Sequence, residues 1–358
     1  MTTSERQNTF SGTKAVTERL RFDVGHLEAY LREHVKGFAG PIAVSQFKGG
    51  QSNPTYLVET PSGRYVLRRK PPGKLLPSAH AVDREYRVID ALYPQGFPVA
   101  EPILYCADEG IIGTAFFVMS HVDGRVIWDA QMPSSNPAER AQVYDAMNAT
   151  LARLHSYDPA AIGLADYGRG ENYVARQIER WSKQYRASET EKIDAMEHLM
   201  VWLPAHLPPP QPARLVHGDY RLDNMILAPH APKILAVLDW ELSTLGDPVA
   251  DFAYHLMQWD MPPSEAGTGS LVSQDLAALG IPSRDAYVES YVKRTGLDPR
   301  PYLATYSAYN FFRIAAILQG IVGRVRDGTA TSANALERAA LVRPLAAKAW
   351  EFARSAGA

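Results

Sequence analysis

The chain has a single cysteine, Cys106, in 358 residues. That excludes an intramolecular disulfide and a thiolate metal cluster, and makes a reducing cytoplasm the expected setting. No apolar run approaches the roughly 18 residues of a membrane span, and the stretch from Met1 to Lys14 lacks the apolar core of a secretory signal. Charge of either sign is also not in excess. With 37 Lys and Arg against 39 Asp and Glu, no basic block tracks a nucleic-acid backbone or an anionic membrane, so the expected partner is a small molecule. What the chain does have is apolar bulk, 46% of its residues, enough to bury a large core divided between two lobes. Residues 1–20 read as a flexible polar tail.

Chemistry is concentrated in His217-Gly218-Asp219-Tyr220-Arg221-Leu222-Asp223-Asn224, followed by the apolar run Ile234 to Leu238 and then Asp239-Trp240-Glu241. An Asp, an Asn five residues on and a second Asp at the end of the next strand is the arrangement a phosphoryl-transfer site needs. One carboxylate meets the substrate hydroxyl, and the other two groups hold magnesium. Strand topology supports the grouping. Met225 to Leu227 and Ile234 to Leu238, joined by the turn from Pro229 to Pro232, read as a hairpin. The start of its first strand, at Asn224, then lies beside the end of its second, at Asp239, so an amide oxygen and a carboxylate converge on one hard cation.

Upstream, the runs Ile42 to Phe47, Thr55 to Thr60 and Arg64 to Arg69 predict an antiparallel sheet. The loop between the first two carries Gly49, Gly50 and Ser52, whose backbone amides can approach nucleotide phosphates. Pro77 to Tyr93 reads as a helix with Val82, Tyr86, Ile89 and Tyr93 at core spacing. Glu85 falls beside Ala81, Val88 and Leu92, so its carboxylate points inward and calls for a cation. Arg68 is the candidate, as the strand cation that grips nucleotide phosphates while a helix carboxylate holds it. Arg69 and Lys70 are the alternatives, residues 68 and 70 sharing one strand face. The strand Gly113 to Val122 runs into a polar linker, with Met119 at the back of a nucleotide pocket and the backbone of Ser120 and Val122 facing an adenine ring. From Ala138 the period changes to that of a helix, with Val143, Met147, Leu151 and Leu154 on one side and His155 as a packing or capping residue near its end. The expected fold class is α+β, with a small antiparallel-sheet N-lobe over residues 21–120 and a larger, mainly helical C-lobe over 121–358.

These stretches resemble the aminoglycoside phosphotransferase-like branch of the protein-kinase-like fold, the phosphotransferase enzyme family, whose catalytic loop is His-Gly-Asp with an Asn five residues after the Asp. The resemblance runs from Gly49 through Asp251. Within the family the chain is most similar to the kinase-like domains fused to, or encoded beside, acyl-CoA dehydrogenases, matching at Tyr65 to Leu76, His217 to Asn224 and Leu238 to Pro248. The resemblance implies ATP and Mg2+, Asp219 as catalytic base or hydroxyl-orienting group, and Asn224 and Asp239 as magnesium ligands. Two residues depart from the broader kinase pattern. Arg68 stands where a lysine is usual, keeping the charge with different reach and hydration. Trp240-Glu241 follows Asp239 where protein kinases have Phe-Gly, so no glycine-enabled flip is expected.

Around this centre, Arg221 is expected to neutralise charge on the transferred phosphoryl group and Glu241 to reach the metal through water. His217 is expected to hold the loop, Asp247 to cap a helix beginning at Pro248, and Asp251 to bond the catalytic-loop backbone. For the acceptor, the segment Leu256 to Ala358 has 9 Asp and Glu against 11 Lys and Arg, a balance that disfavours a polycation. A predicted helix from Tyr309 to Arg326, with Phe311, Ile314, Ala315, Leu318, Ile321 and Val322 on its apolar side and Arg313, Gln319 and Arg324 besides, suits a hydroxylated acyl chain ending in a carboxylate or a CoA thioester. The expected activity is therefore a small-molecule kinase acting on a hydroxyacyl-CoA or hydroxy acid. The alternatives are an aminoglycoside or other small-alcohol phosphotransferase, and a catalytically weak kinase-like protein that binds nucleotide or a partner acyl-CoA dehydrogenase.

Overall fold

The computed structural model describes residues 9, 11–49, 53–73, 80–263, 270–326 and 339–358. Six strands, β1 (Thr13–Lys14), β2 (Ala43–Phe47), β3 (Thr55–Thr60), β4 (Gly63–Arg69), β5 (Pro102–Cys106) and β6 (Phe116–Ser120), form one sheet in the order β1-β2-β3-β4-β6-β5. Every neighbouring pair is antiparallel. Side-chain alternation sorts the sheet's two faces. Leu67, Phe116 and Val118 pack with Leu27 and Leu31 of helix α1 (Val24–His34) in one core. Val66, Phe117 and Met119 pack on the opposite face with Val88 and Ile89 of helix α2 (Val82–Leu92), in the core that continues into the second lobe. Asp23 starts α1 by accepting from His26 N at 2.9 Å, and burial of Leu27 and Leu31 fixes its face, at roughly 1.5–3 kcal/mol for each side chain.

Three expectations change. The polar tail is shorter than 1–20, because Thr13 and Lys14 add a strand at the sheet edge and the Leu20 carbonyl accepts from both Tyr56 and Arg69. Within the described residues the helix expected from Pro77 begins at Val82, and residues 74–79 lie outside them. Tyr93 is 41% exposed rather than in the core, because the chain leaves α2 through a 3₁₀ turn at Tyr93–Gln95.

After β6 the chain crosses to the second lobe, passing so close to the strand Met225–Leu227 that a Cβ on Gly124 would sit 2.4 Å from the Leu227 carbonyl oxygen. Glycine is required there by the close backbone approach. The second lobe is mainly helical: α3 (Pro137–Ser156), α4 (Tyr173–Ser188), α5 (Asp194–Ala205), α6 (Pro248–Leu256), α7 (Leu276–Leu279), α8 (Arg284–Thr295), α9 (Leu303–Arg326) and α10 (Val342–Ser355). Its short strands make two pairs, β7 (Arg214–Val216) with β10 (Thr244–Gly246), and β8 (Met225–Leu227) with β9 (Ile234–Val237). Val143, Met147, Leu151 and Leu154 of α3 are all fully buried, as their spacing predicts. Among the described residues no helix is long and apolar enough to cross a membrane.

Candidate active site

The β8–β9 hairpin has the register Met225↔Val237, and Leu238 N donates to the Asn224 carbonyl at 2.8 Å. Asn224 and Asp239 are thereby brought to the same end of the hairpin. Asp239 then turns the chain in the left-handed region, with φ 63° and ψ 61°. For a residue other than glycine this conformation costs about 1–2 kcal/mol, strain of the kind that gathers at functional positions. Behind it, Trp240 is buried, donates from Nε1 to the Val237 carbonyl at 3.0 Å, and packs against His217 with ring centroids 4.6 Å apart.

The catalytic loop leaves β7 through a left-handed Gly218, φ 82°, where a Cβ would meet the Leu242 carbonyl oxygen at 2.8 Å. Asp251 holds this turn from below, accepting from His217 N and Gly218 N at 2.8 Å each and from His155 Nε2 at 3.1 Å. Burial pushes the Asp251 carboxyl up, but His155, His217 and these donors outweigh it and hold it below the ordinary carboxylate range. His155 is therefore more than a packing residue: Tyr291 donates to its Nδ1 at 2.7 Å, and its other nitrogen meets Asp251. His217 spends both ring nitrogens on the loop itself, donating from Nε2 to Leu238 O at 2.9 Å and accepting at Nδ1 from Asp219 N at 3.2 Å. Asp247 caps α6 by accepting from Val249 N and Ala250 N.

Both oxygens of Asp219 are engaged. Oδ2 accepts from Asn224 Nδ2 at 3.0 Å, and Oδ1 accepts from the Tyr254 hydroxyl, with Arg221 Nε 3.3 Å away. Because Asn224 turns its NH2 group to Asp219, its amide oxygen is the atom available to a cation. Among the described residues no group of three His, Cys, Asp or Glu side chains could hold a metal. An amide oxygen and a carboxylate, both hard donors, fit a magnesium ion that keeps substrate phosphates and waters as its remaining ligands. Arg221 also pairs with Asp223 at 2.9 Å. Burial of its inner Nε opposes the charge on Arg221, and the neighbouring carboxylates of Asp219 and Asp223 more than restore it.

On the facing lobe, Arg68 lies 2.7 Å from Glu85, 2.6 Å from Asp239 and 4.0 Å from Glu241. Strand alternation explains the choice of arginine. Arg68 shares the α2 face of the sheet with Phe117 and Met119, whereas Arg69 faces the other way and donates to the Tyr56 hydroxyl and the carbonyls of Ile112 and Leu20. Burial works against the Arg68 charge, but the three carboxylates raise its pKa above the ordinary arginine value. Glu85 is 2% exposed, and burial pushes its carboxyl up against the pull of Arg68. Sequence reasoning missed Asn53, which donates to Glu85 at 2.6 Å and ties the end of the glycine-bearing loop to α2. Of that loop, Gly49 is half-buried at the end of β2, and Gly50 and Ser52 lie outside the described residues. At the hinge, Ser120 uses its own N–H on the Glu101 carbonyl and its Oγ on Glu101 N. Its amide is thus committed within the sheet, whereas Val122, like Asp123 and Gly124, makes no backbone–backbone hydrogen bond among the described residues.

A small cleft of about 90 Å³ opens beside Tyr254 and Arg221. Its walls are largely apolar, with Ile127, Trp128, Met261 and Ile314 contributing. The expected arginine-bearing groove on α9 is not what the structure shows. Arg313 is buried and donates to the Gly218 carbonyl at 2.9 Å, with its guanidinium 5.2 Å from the Tyr254 ring centroid. Gln319 donates to Ser188 O and Thr190 Oγ1, and the Arg324 side chain lies outside the described residues. A helix serving the core from one side and the catalytic loop from the other leaves, among the described side chains of that set, only Ile314 in the cleft wall. Tyr254 carried no signal in the sequence, and Arg313 none for this role, since each reaches the loop only through packing across the lobe.

Comparison with known proteins agrees with this fold. The model of the phosphotransferase enzyme family matches residues 43–302. Mouse acyl-CoA dehydrogenase family member 10 is 44% identical over 346 residues, covering 96% of this chain and 32% of the relative, so the chain spans about a third of that protein's length. The crystal structure of a Ralstonia eutropha protein described as a candidate aminoglycoside phosphotransferase is 50% identical, covers 94% of this chain and 99% of its own, and superposes with a TM-score of 0.85. The aminoglycoside phosphotransferase APH(4)-Ia, in a ternary complex with ADP and hygromycin B, shares the fold at 14% identity, with a TM-score of 0.59 over 92% of this chain and 98% of its own.

Proposed function

Because the chain belongs to the phosphotransferase enzyme family, we propose that it transfers the γ-phosphoryl group of ATP to a hydroxyl of a small molecule, and that the acceptor is a hydroxyacyl-CoA or a hydroxy acid. The observation that carries the reading is the convergence of Asp219, Asn224 and Asp239 opposite the Arg68–Glu85 pair. In this reading residues 21–120 grip the nucleotide, with Gly49, Gly50 and Ser52 over the phosphates and Met119, Ser120 and Val122 at the base. Residues 121–358 supply the catalytic loop, the metal donors and the acceptor cleft. The ADP held by APH(4)-Ia on the same fold supports ATP as donor.

Asn224 and Asp239 would hold magnesium, which supplies charge neutralisation on the phosphates. The chain's own work is positioning. Asp219 accepts the hydrogen of the acceptor hydroxyl, with its carboxylate plane set by Tyr254 and Asn224. Arg221, 41% exposed and already beside Asp219, faces the cleft where negative charge spreads over the transferred group. Arg68 turns from Asp239 to the phosphates while Glu85 retains its other side. A loose transition state asks little covalent chemistry of the protein beyond this.

The apolar cleft supports an acyl chain, and the name of the mouse relative supports an acyl-CoA dehydrogenase as partner and an acyl thioester as acceptor. A polycationic aminoglycoside is poorly served, because the carboxylate that lines the cleft, Asp223, is already matched by Arg221. One observation favours the second reading, a weak kinase-like binding protein: Arg68 engages Asp239, a proposed metal ligand. The test is ADP release from Mg-ATP by wild type and Asp219→Asn across hydroxyacyl-CoAs, free hydroxy acids, choline, sugars and aminoglycosides. Turnover with hydroxyacyl compounds that disappears in Asp219→Asn is the expected result. ATP binding without turnover on any acceptor would favour the binding protein, and absence of nucleotide binding would end the kinase reading.

A further inference from the structure

Gln258 lies in the 3₁₀ turn that extends α6, four residues beyond Tyr254, and both residues line the cleft. Residues four apart on a helical segment share a face, so the phenol that orients Asp219 and the amide of Gln258 look into the same space. The Gln258 Nε2 atom is buried and has no hydrogen-bond partner among the described residues. Two other partly or fully buried glutamines of this lobe are satisfied: Gln131 Nε2 donates to Ser270 O at 2.9 Å, and Gln319 Nε2 to Ser188 O at 2.8 Å. An unpaired buried N–H is destabilising and calls for a partner. Its surroundings define that partner's chemistry. Ile127, Met257, Met261 and Ile314 give an apolar wall, against which a neutral amide N–H is best matched by a neutral carbonyl oxygen.

We propose that Gln258 is a specificity-determining residue that donates its Nε2–H to a carbonyl oxygen of the acceptor, so that the cleft selects hydroxyacyl compounds over simple alcohols of the same length. The inference rests on the cleft being the acceptor site of the proposed phosphotransferase and adds the group that recognises the acyl function. One residue, Tyr254, sets the carboxylate for the hydroxyl, and another on the same face reads the carbonyl. A simple alcohol leaves the amide unpaired.

The test uses two synthetic probes that differ by one oxygen: the 4-hydroxypentanoyl thioester of N-acetylcysteamine and the corresponding thioether, in which the carbonyl is CH2. Binding to the full chain is read by tryptophan fluorescence, since Trp128 lines the cleft, and kcat and KM are read with Mg-ATP. Wild type should prefer the thioester roughly tenfold, the scale of one net hydrogen bond. Gln258→Leu should abolish the preference, with the loss falling in KM rather than kcat. Gln258→Glu, which places a carboxylate against the carbonyl, should reverse it, and this arm decides the matter if the leucine variant does not fold. Equal affinity of wild type for both probes, or a preference retained in Gln258→Leu, would overturn the role of Gln258. Selective binding with no ADP release would uphold it and remove the phosphoryl-transfer reading instead.

Discussion

Replacing Arg68 by methionine keeps most of the side-chain volume and removes the cation between Glu85 and Asp239. Glu85 is the partner that matters, because its side chain is 2% exposed whereas that of Asp239 is 30% exposed. Removing one member of a buried ion pair costs about 3–5 kcal/mol, since the remaining charge is left without compensation. Two features place Arg68→Met at the lower end, at about 3 kcal/mol. Asn53 still donates to one Glu85 oxygen, and burial already pushes the Glu85 carboxyl up, so it can take a proton. The second feature gives a pH signature. With its folded-state pKa raised above the ordinary value, Glu85 binds more protons folded than unfolded in the window between the two, so stability is lost as pH rises through it. The deficit of Arg68→Met, read from urea midpoints, should therefore be smaller at pH 5.5 than at pH 8. Adding Glu85→Gln should recover at least half of the loss, because a neutral amide replaces the stranded carboxylate. A single variant within about 1 kcal/mol of wild type, or strictly additive effects in the double variant, would refute the reasoning.

Three further outcomes are expected. Tyr254→Phe removes the hydroxyl that holds Asp219 Oδ1 and should lower kcat roughly tenfold through one lost charged hydrogen bond, with little change in KM for ATP; an unchanged kcat would show that Asn224 alone sets the carboxylate. His255 is buried, with Nδ1 on the Tyr220 carbonyl and Nε2 on the Tyr287 hydroxyl, and burial lowers its pKa from 6.5 to about 4. In the window from pH 6.5 down to 4 the unfolded chain binds a proton that the folded chain refuses, so stability falls as pH falls, by up to about 3 kcal/mol. Urea midpoints at pH 5 and pH 7 should differ less in His255→Gln than in wild type, and equal differences would reject the assignment. Gly218→Ala meets both a left-handed backbone and the Leu242 carbonyl oxygen, and should lose activity even in preparations that remain folded by circular dichroism.

What could be read in the sequence was what period and proximity along the chain encode. The β8–β9 hairpin places Asn224 beside Asp239 because the register follows from two short apolar runs and a proline turn. The inward position of Glu85 follows from helical spacing, whereas Arg68, Arg69 and Lys70 all stayed open as its partner, and the two faces of the sheet decide for Arg68. Contacts closed by packing between distant elements were illegible. Tyr254 reaches Asp219 across 35 residues, and Arg313 reaches Gly218 across 95; Tyr254 looks like any core residue in sequence, and Arg313 pointed to the acceptor groove instead. Arg313, Gln319 and Ile314 were expected together on an acceptor groove, and only Ile314 is in the cleft wall. The β1 edge strand escaped notice because two residues carry no readable alternation.

Every residue of α6, from Pro248 to Leu256, is buried, and this helix carries Asp251, which receives the His217 and Gly218 amides. Those amides therefore have no local route to solvent. In native-state hydrogen exchange they belong with the slowest protons of the C-lobe, released only when that core opens as a unit. On heating, the catalytic turn would then keep its shape up to the global transition, and loss of activity and loss of structure would follow one curve.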